Sequence, residues 1–390
     1  MNFILISPHF PTNFKPFAYA LKRKGVNVFG IGDAPFDELG SELQEALTEY
    51  YLVSDLENTA EVKRAVAFLY YKHGKIDRIE SHNEYWLELD AELREEFNVP
   101  GVRPAELRKT KFKSKMKKVF KKAGVPVAEG YVANTKAEIH DNIERLKLPV
   151  VAKPDNGVGT AATYMLRNDE DVERFVAQFD ESVPYFIEKT IESRRLGTYD
   201  GLLDSDGNIV FETSLIYNQP TLEFIEGKGD VAYFIQKELD PKLIEYGRKI
   251  VAAFGMKERF FHIEFFKMPD GDYIALEYNN RLAGNYAVDL YNFAHSINLF
   301  EEYANMVLGL PFQGNPLVEN QFCAAISQRD LFEYVNGPDE VRAQYGKRVK
   351  LSERIPKAFS ELMGDHMYAI TADTREEIDE LLEFVHKRKN

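Results

Sequence analysis

The sequence predicts a mixed α/β protein of two or three domains that opens with a small, doubly wound parallel sheet. Its 390 residues fill two or three domains at about 150 residues each. Apolar residues form 44% and charged residues 29% of the chain, which is typical of globular proteins and excludes a disordered or collagen-like one. Over residues 1–100, short apolar runs alternate with helix-like segments, and this order favours parallel strands joined by helices.

Five segments of this first domain carry the expected patterns: the strand-like runs 3–6, 26–31 and 76–79, and the helix-like stretches 17–24 and 60–73. Gly25 and Gly74 follow the two helices and are suited to end them. The turn after the first strand, at residues 8–11, contains no glycine. A dinucleotide fingerprint needs glycines in that turn so that the backbone can approach a pyrophosphate. The domain therefore has a Rossmann-like outline without that chemistry.

Residues 103–122 contain ten lysines and arginines. Three interpretations are open: a nucleic-acid surface, a solvated helix face, or a helix from which one or two lysines reach a phosphate. An apolar stripe at helical spacing predicts that the helix packs on the body of the protein; it comprises Phe112, Met116, Val119 and Phe120. The formal charge of −14 argues against a general nucleic-acid binder.

Residues 125–187 predict a β-rich insert with helices at residues 135–146 and 169–179. Within it, an apolar run at 149–153 closes on Lys153, and a glycine-containing turn follows at 155–160. A lysine in this position can be held half-buried and directed at an anion. The alternative is a surface turn with a lysine that extends to solvent.

The most informative local pattern is a hairpin around the turn Asp270-Gly271-Asp272. It places Glu264 and Glu277 near each other, and Asn279 and Arg281 share the face of Glu277 because strand side chains alternate. Paired carboxylates repel each other unless a cation lies between them. Oxygen ligands suit Mg²⁺, and an arginine complements a phosphate or a carboxylate. The alternative is an ordinary edge hairpin with solvated charges.

Other chemistries find no support in the sequence. No Walker A motif, G-x-S-x-G elbow or H-E-x-x-H helix occurs. The single cysteine, Cys323, lies in an apolar run and is predicted to be buried; it excludes an intrachain disulfide and fits a reducing compartment. His262 is predicted to be a packed histidine on the strand face opposite Glu264. The chain shows no leader and no membrane-spanning run, so we expect a cytoplasmic protein.

Two stretches, residues 262–266 with 277–284 and residues 149–154, resemble the ATP-grasp superfamily, in particular its carbamoyl phosphate synthetase large-chain and biotin carboxylase type. The resemblance implies an ATP-grasp fold in three parts. Residues 1–103 would form a Rossmann-like domain that precedes the ATP-grasp core. Residues 104–310 would form that core, with 125–187 as a small lid subdomain. Residues 311–390 would form a C-terminal α+β segment, whose last helix begins with the capping box Thr374-x-x-Glu377.

The resemblance also implies roles for residues at matching positions. Glu264, Glu277 and Asn279 would bind Mg²⁺, for which Mn²⁺ can substitute. Arg281 would face the reacting phosphoryl group, and Lys153 the α-phosphate. Lys113 matches a second nucleotide lysine, although the preceding residue is Phe112 where the family usually has Asp.

The nucleotide's adenosine half has its own expected contacts. Glu188, Lys189, Thr190 and Ile191 would form the adenine hinge, with the carboxylate of Glu188 reading the base edge, and Phe266 and Leu276 would line the adenine floor. The family's ribose glutamate is Arg195 here, so either Glu192 substitutes or ribose is held differently.

The function implied is an ATP- and Mg²⁺-dependent ligase that joins a small carboxylate to an amine through an acyl phosphate. A bicarbonate-using carboxylase and a nucleic-acid-binding non-enzyme that uses residues 103–122 are the alternatives. The expected partners are small molecules and not nucleic acid or a membrane, and a homodimer is possible. Four residues are candidates for the substrate pocket: Arg194, Asn285, Tyr286 and Asp289.

Overall fold

Alternation of apolar runs and helices in the first hundred residues produces a four-stranded parallel sheet with the order β3-β2-β1-β4. The computed structural model describes residues 1–157, 162–193, 195–218, 229–284, 286–314 and 320–389. The strands of this sheet are β1 (Asn2–Ile6), β2 (Asn27–Gly32), β3 (Glu49–Leu52) and β4 (Arg78–Glu80). The helices are α1 (Lys15–Arg23), α2 (Ser41–Ala46), α3 (Thr59–His73) and α4 (Leu87–Glu96). The predicted parallel sheet is observed, and β3, α2 and α4 are elements that the sequence patterns do not predict.

The basic segment folds into two helices, α5 (Pro104–Lys111) and α6 (Lys113–Lys122). Met116 and Phe120 are fully buried, so the apolar stripe packs on the body as predicted. The solvated-face interpretation fails for two of its ten basic residues, since Lys113 and Lys117 are each only 3% exposed. These two lysines lie four residues apart and therefore point to the same side of the helix.

The insert forms an antiparallel sheet with the strand order β5-β8-β6-β7 and a hydrophobic core of its own. Its strands are β5 (Gly130–Ala133), β6 (Val150–Pro154), β7 (Tyr164–Leu166) and β8 (Tyr185–Lys189). Two helices cover one face, α7 (Lys136–Leu146) and α8 (Asp169–Gln178). Because β8 pairs with β5 through Glu188 and with β6 through Lys189, this lid sheet extends two residues beyond the expected limit at 187.

A nine-stranded sheet forms the centre of the molecule, with the order β14-β13-β9-β11-β12-β15-β17-β16 and β10 paired beside β9. Its first strands are β9 (Leu196–Leu203), β10 (Ile209–Thr213), β11 (Leu215–Tyr217), β12 (Ala232–Ile235), β13 (Arg259–Lys267) and β14 (Tyr273–Asn279). Residues that follow 311 contribute β15 (Phe322–Gln328), β16 (Val349–Arg354) and β17 (His366–Ala372).

Among the described residues, six helices accompany this sheet: α9 (Pro241–Phe254), α10 (Ala287–His295), α11 (Leu299–Val307), α12 (Pro338–Tyr345), α13 (Lys357–Met363) and α14 (Arg375–Val385). As predicted, the Thr374 side chain caps α14 by accepting a hydrogen bond from the backbone N–H of Glu377, and Cys323 is buried. The C-terminal segment is α+β as expected, yet its strand β15 pairs with β12, so it continues the central sheet. No helix in the described ranges has the length and apolarity needed to cross a bilayer.

A buried ionic network joins the first domain to the central sheet. Arg94 on α4 donates to the Glu80 carboxylate at 2.9 Å, and Arg259 of β13 lies 3.8 Å from the same carboxylate. Asp90 accepts hydrogen bonds from the backbone and hydroxyl of Ser81. Burial and the neighbouring charge of Glu80 raise the pKa of Asp90 to about 7. The network therefore holds a proton at Asp90 near neutral pH.

Asp90→Asn is expected to remove a pH-dependent loss of stability. A carboxyl group whose folded pKa lies above its unfolded value stabilises the fold at low pH, and this contribution is lost as pH rises through the folded pKa, here about 7. The melting temperature of the variant relative to that of the wild type should therefore rise between pH 5 and 8. The rise should be about 2–4 °C for each 1 kcal/mol of unfolding free energy that the wild type loses over this range. The exposed neighbour Glu92→Gln on α4 is the control. If the melting temperatures of Asp90→Asn and the wild type change with pH in parallel, Asp90 is ionised in the folded protein over this whole pH range.

Candidate active site

A cavity of about 350 Å³ lies between the lid sheet and the β13–β14 hairpin. The lid contributes Val151, Lys153 and Met165, while the hairpin contributes apolar side chains at Phe266 and Leu276 and polar ones farther along the strands. Apolar walls with a few converging charged groups are the usual composition of a small-molecule site. Most of the residues singled out from the sequence therefore share one cavity.

Glu264 and Glu277 lie directly opposite each other on β13 and β14, beyond a register shift in the hairpin between Glu264 and Phe265. The two carboxylates are close together on one face, as predicted. Burial, together with the neighbouring charge of Glu264, raises the pKa of Glu277, and this is opposed by Lys113, whose Nζ lies 3.7 Å from the Glu277 carboxylate. Asn279 lines the same cavity and is mostly buried. Two half-buried carboxylates and an amide oxygen fit a hard divalent cation that takes its remaining oxygens from a phosphate. The described residues hold no cluster of three or more His, Cys, Asp or Glu side chains that could bind a metal unaided.

His262 lies on the same strand face as Glu264, so the sequence-based placement on the opposite face was wrong. Strand residues two apart project to the same side, and His262 Nε2 lies 3.3 Å from Glu264 Oε1. Its Nδ1 lies 2.7 Å from Asp200 Oδ1 on the neighbouring strand β9. Burial lowers the pKa of His262, but the two carboxylates outweigh it and raise the pKa to about 9. The histidine is packed, as predicted. A pKa of about 9 favours its doubly protonated form at neutral pH.

Lys153 and Lys117 share the carboxylate of Glu188. Lys153 Nζ lies 2.5 Å from Glu188 Oε1 and Lys117 Nζ lies 3.0 Å from Oε2. All three side chains are buried. Burial opposes ionisation of Glu188, yet the two ammonium groups lower the pKa of this carboxyl to about 2. The carboxylate of Glu188 was expected to contact the edge of the adenine base. Its position here does not match this expectation, because both of its oxygens contact lysines.

Lys113 is fixed by the strand end that carries Lys153. Its backbone N–H donates to Asp155 at 2.9 Å and its Nζ donates to the Gly157 carbonyl at 3.1 Å. Ser114 adds hydrogen bonds from its N–H and hydroxyl to the Asp155 carboxylate, 2.7 Å each. These hydrogen bonds therefore join the start of α6 to the turn after β6. The rest of the predicted glycine turn, residues 158–160, lies outside the described residues.

Arg281 reaches the cavity and is paired with Glu84, which belongs to the first domain. The guanidinium donates to Glu84 Oε2 through Nε at 3.1 Å and also through a terminal nitrogen. A third donor binds the Leu282 carbonyl at 2.7 Å. The Arg281 charge lowers the pKa of Glu84 despite burial. A residue from the first hundred therefore contributes directly to the cavity.

The expected adenine end is only partly matched. Lys189, Thr190, Ile191, Phe266 and Leu276 line the cavity. The two positions considered for ribose do not join them. Glu192 and Arg195 are both exposed and are not among the lining residues. Ser193 lines the cavity between them, and its hydroxyl donates to the Lys267 carbonyl at 2.6 Å.

The four substrate-pocket candidates gain no support from this cavity. Arg194 and Asn285 lie outside the described residues. Tyr286 and Asp289 are half-buried and do not belong to the lining of the cavity. Burial raises the pKa of Asp289 to about 7. Their assignment to a substrate stays a prediction.

Several cavity residues were not assigned to the site from the sequence, among them Glu84, Lys117 and Ser193. Lys117 had an available signal, because it follows Lys113 by one helical turn. Glu84 had none, since its partner Arg281 is 197 residues away in the chain.

Residues 111–312 match the family model described as "Carbamoyl-phosphate synthase L chain, ATP binding domain". This stretch covers just over half of the chain, and it contains the two buried lysines of α6, the lid sheet and the Glu264–Arg281 hairpin. The fold is that of ATP-grasp proteins. The chain belongs to the carbamoyl-phosphate synthase L chain ATP-binding family, which confirms the resemblance noted from the sequence.

Individual relatives extend the comparison beyond the matched stretch. An L-arginine-specific L-amino acid ligase of Bacillus subtilis is 25% identical over 269 residues, covering 66% of this chain and 63% of that protein. The chain therefore spans less than two thirds of that relative. The crystal structure of an L-amino acid ligase from Bacillus licheniformis has a TM-score of 0.74 at 17% identity, covering 100% of this chain and 99% of that one. The biotin carboxylase domain of a Hydrogenobacter thermophilus 2-oxoglutarate carboxylase, solved with MgADP, has a TM-score of 0.71 at 17% identity and covers 98% and 90%.

Proposed function

We propose that this protein is an ATP-dependent carboxylate–amine ligase that uses Mg²⁺ and acts on amino acids. The observation that carries the proposal is the arrangement of opposite charges in one cavity: Lys153, Lys117 and Arg281 together with the facing pair Glu264 and Glu277. Family membership supports ATP as the nucleotide. Two L-amino acid ligases among the relatives support the substrate class.

The residues of the cavity suit phosphoryl transfer, which depends on positioning and charge neutralisation more than on a protein nucleophile. Lys113 and Lys153 would bind the phosphate chain, and Phe266 and Leu276 would contact the base. Glu264, Glu277 and Asn279 would hold Mg²⁺, or Mn²⁺ in its place. That cation, when bound, supplies neutralisation of phosphate charge.

The reaction would proceed in two displacements. An oxygen of the carboxylate substrate attacks the γ-phosphorus, the bond to the β–γ bridging oxygen breaks, and ADP leaves with the electron pair. The amine then attacks the acyl carbon, the bond to the phosphate oxygen breaks, and inorganic phosphate leaves as the amine nitrogen loses a proton. Arg281, which lines the cavity, would stabilise the charge of the transferred group.

The proposal is tested by measuring ADP and phosphate release from ATP·Mg²⁺ with pairs of L-amino acids, with mass spectrometry of the products. A dipeptide formed in equal amount to ADP is the expected result. Hydroxylamine added with a single amino acid should trap an acyl phosphate as a hydroxamate. Lys117→Ala should reduce turnover, and the exposed Lys118→Ala on the same helix serves as the matched control.

Two other outcomes would contradict the ligase proposal. ADP release that depends on bicarbonate, and on no amino acid, would indicate a carboxylase. Absence of nucleotide binding together with tight RNA binding would indicate a nucleic-acid-binding protein. We expect no tight RNA binding, because the formal charge is −14 and two of the ten basic residues face the cavity. We expect no dependence on bicarbonate, because an L-amino acid ligase is among the relatives. A cytoplasmic location and a homodimer remain part of the proposal.

A further inference from the structure

We propose that His262, anchored by Asp200, is a positioning residue that fixes Glu264 so that a single carboxylate oxygen is offered to the divalent cation. The inference rests on the proposed function, because it takes Glu264 to be a metal ligand. It assigns a purpose to a buried histidine and aspartate that the phosphoryl-transfer chemistry does not itself use.

Asp200 anchors the imidazole ring of His262. Asp200 is 1% exposed and stands directly opposite His262 in the β9–β13 register. Its Oδ1 is 2.7 Å from His262 Nδ1, and its Oδ2 accepts from the Tyr291 hydroxyl at 2.8 Å and from the Thr198 hydroxyl. Both oxygens of the carboxylate are engaged by buried groups. Asp200 is therefore fixed in position and holds one edge of the imidazole ring.

The other edge of the imidazole ring contacts Glu264. With Nδ1 held by Asp200, Nε2 points along the strand face to Glu264 and lies 3.3 Å from Oε1. Within the described part of the chain, the contacts of the Glu264 carboxylate involve Oε1. The side chain lines the cavity and is still 22% exposed. His262 therefore occupies one oxygen of Glu264 and leaves Oε2 for a ligand in the cavity.

This geometry bears on which cation the site prefers. Mg²⁺ takes near-octahedral sets of single oxygens, whereas Ca²⁺ readily accepts both oxygens of one carboxylate. A histidine that withholds one oxygen should disfavour the two-oxygen mode. Groups that orient a metal ligand in this way commonly change metal affinity about 10–100-fold when they are removed.

The test measures binding of Mg²⁺ and of Ca²⁺ by calorimetric titration into the full chain saturated with ADP. For His262→Leu we expect the Mg²⁺ dissociation constant to rise about 10–100-fold, with a smaller change for Ca²⁺, so that the preference for Mg²⁺ shrinks. His262→Gln keeps an N–H donor and should retain most of the Mg²⁺ affinity. His295→Gln is the matched control, since His295 is also buried but contacts Thr213 and Asn320 instead.

The outcomes separate this inference from the proposed function. If wild-type protein with ADP binds Mg²⁺ and His262→Leu binds it equally well with the same preference over Ca²⁺, the positioning role is overturned. If the wild type binds neither nucleotide nor cation, the proposed function itself fails. Should His262→Leu not fold, Asp200→Asn replaces it: a loss of Mg²⁺ preference relative to His295→Gln supports the inference, and unchanged preference overturns it.

Discussion

Glu277→Gln is expected to abolish most turnover while the ligand-free protein stays as stable as the wild type or becomes slightly more so. Burial and the facing Glu264 raise the pKa of Glu277, which means that its charged form is disfavoured in the fold. A neutral side chain of the same shape removes that cost. It also removes one of the charges proposed to hold Mg²⁺, so turnover should fall by at least about 10²-fold.

Paired melting curves and ADP production check this expectation. Stabilisation by ATP·Mg²⁺ grows as RT ln(1 + [L]/Kd), so it should shrink in Glu277→Gln. Asp270→Asn makes the same chemical change at the exposed hairpin tip and should alter neither quantity. If Glu277→Gln melts lower without ligand but keeps full ligand stabilisation and activity, then Glu277 is a structural residue and the metal site is misplaced.

Glu188→Ala is expected to be among the most destabilising single substitutions in the lid. It leaves Lys117 and Lys153 buried without the carboxylate that they share, and loss of one partner from a buried ion pair costs about 3–5 kcal/mol. The two lysines should then ionise less readily. A lysine whose folded pKa is depressed binds fewer protons in the fold than in the unfolded chain, so stability should recover as pH rises.

Melting temperatures of Glu188→Ala and the wild type between pH 7 and 9 measure this effect. The deficit of the variant should be largest at pH 7 and should narrow toward pH 9. Adding Lys117→Met to Glu188→Ala should restore part of the lost stability at pH 7 by removing one unpaired charge. The exposed lid residue Glu144→Ala is the control. A deficit that is independent of pH, and is not reduced by Lys117→Met, would show that lost packing, and not unpaired charge, causes the destabilisation.

The hairpin and the strand-terminal lysine were predictable from the sequence because their geometry is local. The Asp270-Gly271 turn predicts that the two strands pair, although Glu264 comes opposite Glu277 only through a register shift between Glu264 and Phe265, and a strand ending at Lys153 before a turn needs only the adjacent residues. The same locality explains the first domain, whose parallel strands follow from alternating runs. In each case, neighbouring residues in the chain carry the information.

What the sequence left undetermined depends on contacts between distant segments. Nothing near Glu84 indicates that it meets Arg281, and nothing near residue 322 indicates that β15 pairs with β12. The position of Glu188 between two lysines depends on how the lid sheet and α6 pack together. His262 differs from these cases, since the period of two alone places it beside Glu264.

The pairing of β12 with β15 has a consequence for the newly made chain as it leaves the ribosome. Synthesis delivers Ala232–Ile235 well before Phe322–Gln328, so the backbone groups of β12 that later pair with β15 stay open in the interval. An uncovered apolar strand edge is a template for pairing with other molecules. The nascent protein therefore passes through a stage in which this strand edge is open to aggregation, and premature termination of translation would release the chain in that state.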